Sequence, residues 1–198
     1  DKLYCITRLF ADDTSLGTLS KEKQMMEKVM NENLELLSNW AKEWLISYNP
    51  EKTEAILFMT KNNKENIDLY FDGCRVQTVE YHKHLGLTFS SNGSWHHHIE
   101  NIIMKTSKMI GALRKLKFLL NRVTLAKIYT VFIRPHFEYA SEVWDGCLID
   151  EVNRLEKLQL EAARIVTGLP RYASSSSLYY ETGWELLSER RRIRKLSL

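Results

Sequence analysis

The sequence is short of several things, and each shortage excludes something. Cysteine is scarce and odd in number: Cys5, Cys74 and Cys147, far apart. That argues against a disulfide framework and for free thiols in a reducing, intracellular compartment, nucleus or cytoplasm. No run approaches the roughly 20 apolar residues of a membrane span, so no membrane partner is expected. No signal peptide is visible, and no internal repeat or true low-complexity tract occurs. Excess charge of one sign is missing too: 28 Lys and Arg stand against 25 Asp and Glu, a net charge of +3. Nucleic-acid binding would have to come from a local basic face. Proline is limited to Pro50, Pro135 and Pro170, each where a helical pattern stops. What remains is 198 residues, 44% hydrophobic and 27% charged, enough for one domain or two small ones with a real core.

The informative stretch is Leu9-Phe10-Ala11-Asp12-Asp13-Thr14-Ser15-Leu16. The residues before it, Leu3 to Phe10, are rich in β-formers, and Ser15-Leu16 begins a return strand before Gly17. The pattern predicts a hairpin with both aspartates in its turn. A tight turn brings adjacent carboxylates toward one point, where a straight strand sends them to opposite faces. Such a pair suits Mg²⁺, which takes one or two protein carboxylates plus substrate phosphates. Asp also favours turns in any protein, so an ordinary exposed turn is the alternative on these residues alone.

The remaining pattern divides near residues 90–94. Before it, Ser20 is a candidate N-cap for an amphipathic helix to about Ile46, with Met26, Val29, Met30, Leu37, Trp40, Ala41, Trp44 and Leu45 on one apolar stripe. Trp40 and Trp44 are assigned to core packing rather than base stacking. Strands follow over Glu54 to Thr60, over Ile67 to Val79 as a hairpin around Asp72-Gly73, and over Tyr81 to Phe89, with a polar loop over Lys61 to Asn66. Beyond Ser94 the pattern is helical. Ile99, Ile102, Ile103, Ile110, Leu113 and Leu116 make one stripe, and Lys105, Lys108 and Lys115 make another face. Further helices are predicted from Asn121 to near Pro135, from Phe137 to Trp144, from Asp150 to Gly168, and from Trp184 to Leu198, with Ser174 to Ser177 as a loop. The expected class is α+β: residues 1–92 as antiparallel strands plus a long helix, residues 93–198 helical.

Several residues carry two readings. Lys105, Lys108 and Lys115 form either a phosphate-binding face or a solvated one. Arg190, Arg191 and Arg192 suit RNA binding or a nuclear-import patch, but Glu185 and Glu189 precede them at ion-pairing distance along a helix. His96, His97 and His98 cannot chelate together on a helix, because successive side chains point about 100° apart. His82 and His84 share a strand face and lack a ligand partner at metal spacing.

Phe10-Ala11-Asp12-Asp13 resembles the aspartate box of reverse transcriptases. Asn49-Pro50-Glu51-Lys52-Thr53, His84-Leu85-Gly86, Trp95-His96-His97-His98-Ile99, Tyr129 with Ile133-Arg134-Pro135, and Glu138-Tyr139 with Val143-Trp144 follow in the right order. Together they resemble the C-terminal half of the polymerase of a jockey-like non-long-terminal-repeat retrotransposon. The resemblance implies a partial palm (1–92) and a thumb-like region (93–198). It implies RNA-directed DNA synthesis from deoxynucleoside triphosphates on an RNA template and a DNA primer, with two Mg²⁺ ions. Asp12 and Asp13 would be catalytic metal ligands, and Lys52 the acid that protonates the leaving pyrophosphate. His84, Leu85 and Gly86 would form the primer grip. The family's other metal-binding aspartate and its fingers lie upstream of the stretch matched here. The chain is therefore expected to be a piece of a longer enzyme, inactive alone, with its oligomeric state open. The alternatives are a non-enzymatic nucleic-acid-binding or scaffold module, and a decayed genomic copy.

Overall fold

The computed structural model describes residues 5–59 and 67–197. The polar loop expected over Lys61 to Asn66, and the strand end expected at Thr60, lie outside the described residues. The chain divides into two compact units: Asp1–His82 with Ser90–Gly93, and Lys83–Phe89 with Ser94–Leu198. Helix and short strands are mixed, an α+β composition. None of the described helices is long and apolar enough to cross a membrane.

The first unit begins with a hairpin, β1 (Ile6–Phe10) and β2 (Asp13–Gly17), paired from Ile6↔Gly17 to Phe10↔Asp13. Only Asp12 and Ala11 form the turn, and Asp13 already heads the return strand. A two-residue connection needs left-handed backbone, which Ala11 supplies with a φ of 51°. Helix α1 (Lys23–Glu43) starts two residues later than expected, with Glu22 at its N-cap. Ser20 instead accepts the Glu22 N–H at 3.1 Å in a local turn.

The buried seam of α1 runs through Asn33, Leu34, Ser38 and Ala41. Hydropathy misses Asn33 and Ser38, because their polar atoms are satisfied inside: Asn33 donates to the Val29 carbonyl at 2.6 Å and Ser38 to Asp72 at 3.1 Å. Trp40 and Trp44, assigned to the core from sequence, lie on the surface, 44% and 64% exposed. Below the seam sit Ile67, Leu69, Phe71 and Val76.

The strands here are short. After a 3₁₀ turn at Pro50–Lys52, β3 spans only Glu54–Ala55 and pairs in parallel with β6 (Gln77–Thr78), not antiparallel as the sequence suggested. Between them, β4 (Tyr70–Phe71) and β5 (Cys74–Arg75) form the expected hairpin, with Asp72 and Gly73 both at positive φ. The strand predicted over Tyr81 to Phe89 is broken: β7 (Tyr81–His84) and β8 (Leu87–Ser90) flank a two-residue turn at Leu85-Gly86. Left-handed φ values of 47° and 80° at those residues reverse the chain there.

The second unit is built on α2 (His96–Leu116) and α6 (Ile149–Thr167), packed face to face through Ile99, Ile110, Leu113, Leu155 and Ala162. Asn121 caps α3 (Arg122–Ile128) by accepting the Thr124 N–H at 2.9 Å. The helix does not stop at Pro135. It widens into a π-turn over Tyr129–Ile133, where the Arg134 N–H reaches back to the Tyr129 carbonyl, and continues as α4 (Arg134–Glu138). The wider turn accommodates a residue that offers no N–H and whose ring crowds the preceding turn. Ala140, at φ 47°, then breaks the helix expected from Phe137 to Trp144, leaving α5 as Ser141–Trp144.

Gly168, at φ 73°, closes α6 as expected. Ser174 opens α7 (Ser175–Thr182) rather than a loop, accepting the Ser177 N–H at 3.1 Å. Helix α8 (Leu187–Leu196) completes the unit. A buried polar link holds its approach: Tyr129 donates to Gln159 at 2.6 Å, Gln159 donates to the Glu185 carbonyl at 2.9 Å, and Trp184 stacks on Tyr129 at 4.1 Å between ring centroids.

Helix α8 is docked by charge. Glu138 is 6% exposed. Its carboxylate accepts from Arg190 and, at 3.1 Å, from Arg194, with Arg134 3.5 Å away. Removing one side of a buried pair leaves uncompensated charge, so Glu138→Gln should destabilise the chain by about 3 kcal/mol in urea unfolding.

His98 supplies a second test. It is buried against Trp95 and Trp144 and accepts the Thr88 N–H at 3.4 Å. Burial lowers its pKa below the ordinary 6.5. The unfolded chain therefore takes up this proton first, and the folded state loses stability as pH falls from about 6.5 through the lowered value. His98→Gln keeps an acceptor for Thr88, and should remove this component from the pH dependence of unfolding free energy.

Candidate nucleic-acid interface

The residues singled out by sequence fall into two groups, one in each unit. Asp12, Asp13 and Lys52 belong to the first. Asp12 sits at the tip of the β1–β2 hairpin, Asp13 follows it at the head of β2, and both are exposed. Lys52 ends the 3₁₀ turn, also exposed. That turn is held locally: Asn49 accepts the Glu51 N–H at 3.0 Å, and Thr53 donates to the Asn49 carbonyl at 3.1 Å. A 3.3 Å hydrogen bond between the hydroxyls of Thr14, next to Asp13, and Tyr48, four residues before Lys52, joins the two stretches.

The donors at the hairpin tip are carboxylate oxygens, the hard ligands that Mg²⁺ prefers. Among the described residues no third His, Cys, Asp or Glu joins them in a group able to hold a metal ion. Asp12 and Asp13 thus fit the protein share of a Mg²⁺ shell that water and phosphate oxygens complete. His82 is paired with Glu54 at 2.8 Å. The three consecutive histidines diverge as helix geometry requires: His96 meets Glu151 at 2.8 Å, His97 is exposed and His98 is buried.

In the second unit His84 ends β7, and Leu85 and Gly86 form the turn. A residue to which the sequence reading gave no role controls that turn. Tyr139 donates its hydroxyl to the Leu85 carbonyl at 2.8 Å. Its ring lies against Gly86 so closely that a Cβ there would stand 3.1 Å from Cε1. A glycine at such a turn permits close approach of a neighbouring group. In the structure the close neighbour is Tyr139, and the positive φ of 80° gives glycine a second reason. The available signal was the pairing of two boxes, His84-Leu85-Gly86 and Glu138-Tyr139, which sequence shows far apart and the fold brings together.

The basic residues separate by partner. Lys105, Lys108 and Lys115 are exposed along α2, with no ion pair among the described residues. His136 lies near Lys105; partial burial, then that lysine's charge, lower its pKa. The arginine run is largely taken up by ion pairs within the protein. Arg190 is bound to Glu138 and Glu185, and Arg192 pairs with Glu189 at 2.9 Å. Arg191 is 2% exposed, lies 5.5 Å over the Trp144 ring and bonds Asp145 at 3.3 Å. A nucleic-acid role for Arg191 does not fit that burial. The face of the Trp144 ring and the Asp145 carboxylate hold its guanidinium inside.

Comparison with known proteins gives consistent matches. The chain is 26% identical over 196 residues to a probable RNA-directed DNA polymerase from transposon BS of Drosophila melanogaster, covering 96% of this chain and 21% of that protein. It is 25% identical over 167 residues to the RNA-directed DNA polymerase from mobile element jockey of the same fly, covering 82% and 18% respectively. It is 23% identical over 190 residues to a retrovirus-related Pol polyprotein from type-1 retrotransposable element R1 2 of Nasonia vitripennis, covering 88% of this chain and 45% of that protein. The chain thus spans about a fifth of the first two relatives' length. No family model matches, and no solved structure matches.

The two classes of basic residue should separate by experiment. Arg191→Ala should cost about 2 kcal/mol of unfolding free energy, and Arg192→Ala about 0.5 kcal/mol or less. Lys108→Ala should leave stability unchanged and reduce the salt slope of binding to a DNA oligonucleotide by about one.

Proposed function

We propose that this chain, whose homologues are RNA-directed DNA polymerases of jockey-like and other non-long-terminal-repeat retrotransposons, supplies the distal palm (1–92) and thumb (93–198) of such an enzyme. One observation carries the reading. Sequence similarity to these polymerases runs through 82–96% of the chain, and the chain exposes two adjacent carboxylates, Asp12 in a two-residue hairpin turn and Asp13 at the head of its return strand. The reaction proposed is RNA-templated addition of deoxynucleotides to a DNA primer. The primer 3′-hydroxyl attacks the α-phosphorus and pyrophosphate leaves.

In this reading Asp12 and Asp13 hold Mg²⁺, which supplies positive charge against the attacking and leaving oxygens. Lys52 gives a proton to the departing pyrophosphate, an act realised in the transition state rather than in substrate binding. The Leu85–Gly86 turn meets the primer strand. Lys105, Lys108 and Lys115 meet phosphates without reading sequence. A two-metal site needs a further carboxylate from a separate palm strand, which in this family precedes the matched stretch, so the chain alone is expected not to polymerise.

A chimera tests this. The chain replaces the matching segment of the jockey polymerase, and extension of a DNA primer on an RNA template is measured with Mg²⁺. The chimera should extend. The Asp12→Asn variant should melt at the same temperature and extend more slowly by about 10²-fold or more, the scale seen when one charge-stabilising group is lost. A fully active Asp12→Asn chimera would return the hairpin to an ordinary turn. A folded but inactive chimera whose chain still binds nucleic acid would favour a non-enzymatic binding module.

A further inference from the structure

We propose that Tyr139 is a positioning residue: it holds the His84-Leu85-Gly86 turn in the conformation that offers its backbone to a nucleic-acid strand. The proposal rests on the polymerase reading and assigns to it a residue outside the turn itself. Two contacts fix the turn from one side chain. The Tyr139 hydroxyl takes the Leu85 carbonyl at 2.8 Å, and the ring edge fills the space where a Gly86 side chain would stand.

Tyr139 is itself held. Its N–H donates to the Pro135 carbonyl at 2.9 Å, and its own carbonyl accepts the indole N–H of the fully buried Trp144 at 3.0 Å. The preceding residue is Glu138, held by Arg190 and Arg194. The ring thus projects from a tightly bonded segment of the second unit, yet it remains 55% exposed.

The hydrogen-bond inventory of the turn explains what this achieves. In a two-residue hairpin turn the central amides lie outside the ladder. Here neither the Leu85 nor the Gly86 N–H has an acceptor among the described residues. Tyr139 occupies the Leu85 carbonyl, the acceptor that would repel an approaching phosphate oxygen. What the turn then offers outward is N–H donors, the groups that bind phosphate in backbone nests. Tyr139 carries no charge, so its contribution acts through the shape of the turn and leaves the ionic part of binding alone.

The experiment uses the full 198-residue chain and a fluorescent DNA primer annealed to an RNA template. Binding is measured by anisotropy over a salt series, for the wild type, Tyr139→Phe, Tyr139→Leu and Lys108→Ala. Amide hydrogen exchange at His84 and Leu87, the residues that close the turn, is followed in the free proteins. Tyr139→Phe should weaken binding about tenfold at an unchanged salt slope, with faster exchange at both amides and an unchanged exchange pattern in α2 and α6. Tyr139→Leu should do more on both measures. Lys108→Ala should lower the slope by about one and leave exchange alone. Wild-type exchange at His84 and Leu87 in Tyr139→Phe would overturn the positioning role directly. Faster exchange with wild-type affinity would show a structural tie with no part in binding, and would also overturn it. No binding by the wild type at low salt would remove the nucleic-acid reading and the proposal with it; exchange would then report only the tie between Tyr139 and the turn.

Discussion

The second unit depends on one buried anion. A carboxylate taken out of water costs several kcal/mol unless cations and hydrogen bonds replace the lost hydration. Glu138 meets that demand with Arg134 on its own helix and Arg190 and Arg194 on α8. Residues more than fifty positions apart are thereby fixed to one point. Asp145 repeats the arrangement on a smaller scale, with Arg191 and Lys195 at 3.3 Å each. Of the basic residues of α8, Arg191 is buried, while Arg192 and Lys195 stay exposed within their ion pairs.

The same anchor explains the local backbone. Pro135 would end a regular helix, but the π-turn before it carries the chain on, so that Glu138 arrives where the arginines converge. The left-handed residue Ala140 then turns the chain and brings Trp144 beneath the Arg191 guanidinium. Between these two fixed points stands Tyr139, which donates its hydroxyl to the Leu85 carbonyl. A strained residue and a widened helix within a dozen positions are costs of order 1–3 kcal/mol each, tolerated because the ion cluster over-determines the path.

The first unit is organised differently. Its helix lies over two-residue strands, and its polar seam residues Asn33 and Ser38 are satisfied by the helix's own backbone and by the Asp72 turn. The aspartate hairpin stands on few contacts, the Thr14–Tyr48 bond among them, and exposes Ile6, Leu9 and Phe10. Few contacts and open carboxylates are properties of an element that presents groups rather than of one that builds a core.

Several features were settled by sequence alone. The hairpin around Asp12, the Asp72-Gly73 turn, helices α1, α2 and α6, and the retrotransposon-polymerase resemblance all follow from period, turn chemistry and ordered boxes, which are local along the chain. Other features were settled only by tertiary structure. Trp40 and Trp44 fit an apolar stripe but lie exposed, because periodicity says which residues share a face and not whether anything covers it. The strand over Tyr81 to Phe89 broke at Leu85-Gly86, where Tyr139 closes the turn from across the unit. The arginine run allowed either nucleic-acid binding or ion pairing with Glu185 and Glu189; the fold forms both of those pairs and adds Glu138 and Asp145, which sequence did not offer. For the turn at Leu85-Gly86 and for Arg190 and Arg191 the added partner is remote in sequence, and electrostatic or steric pairing over such separations leaves no local pattern to read.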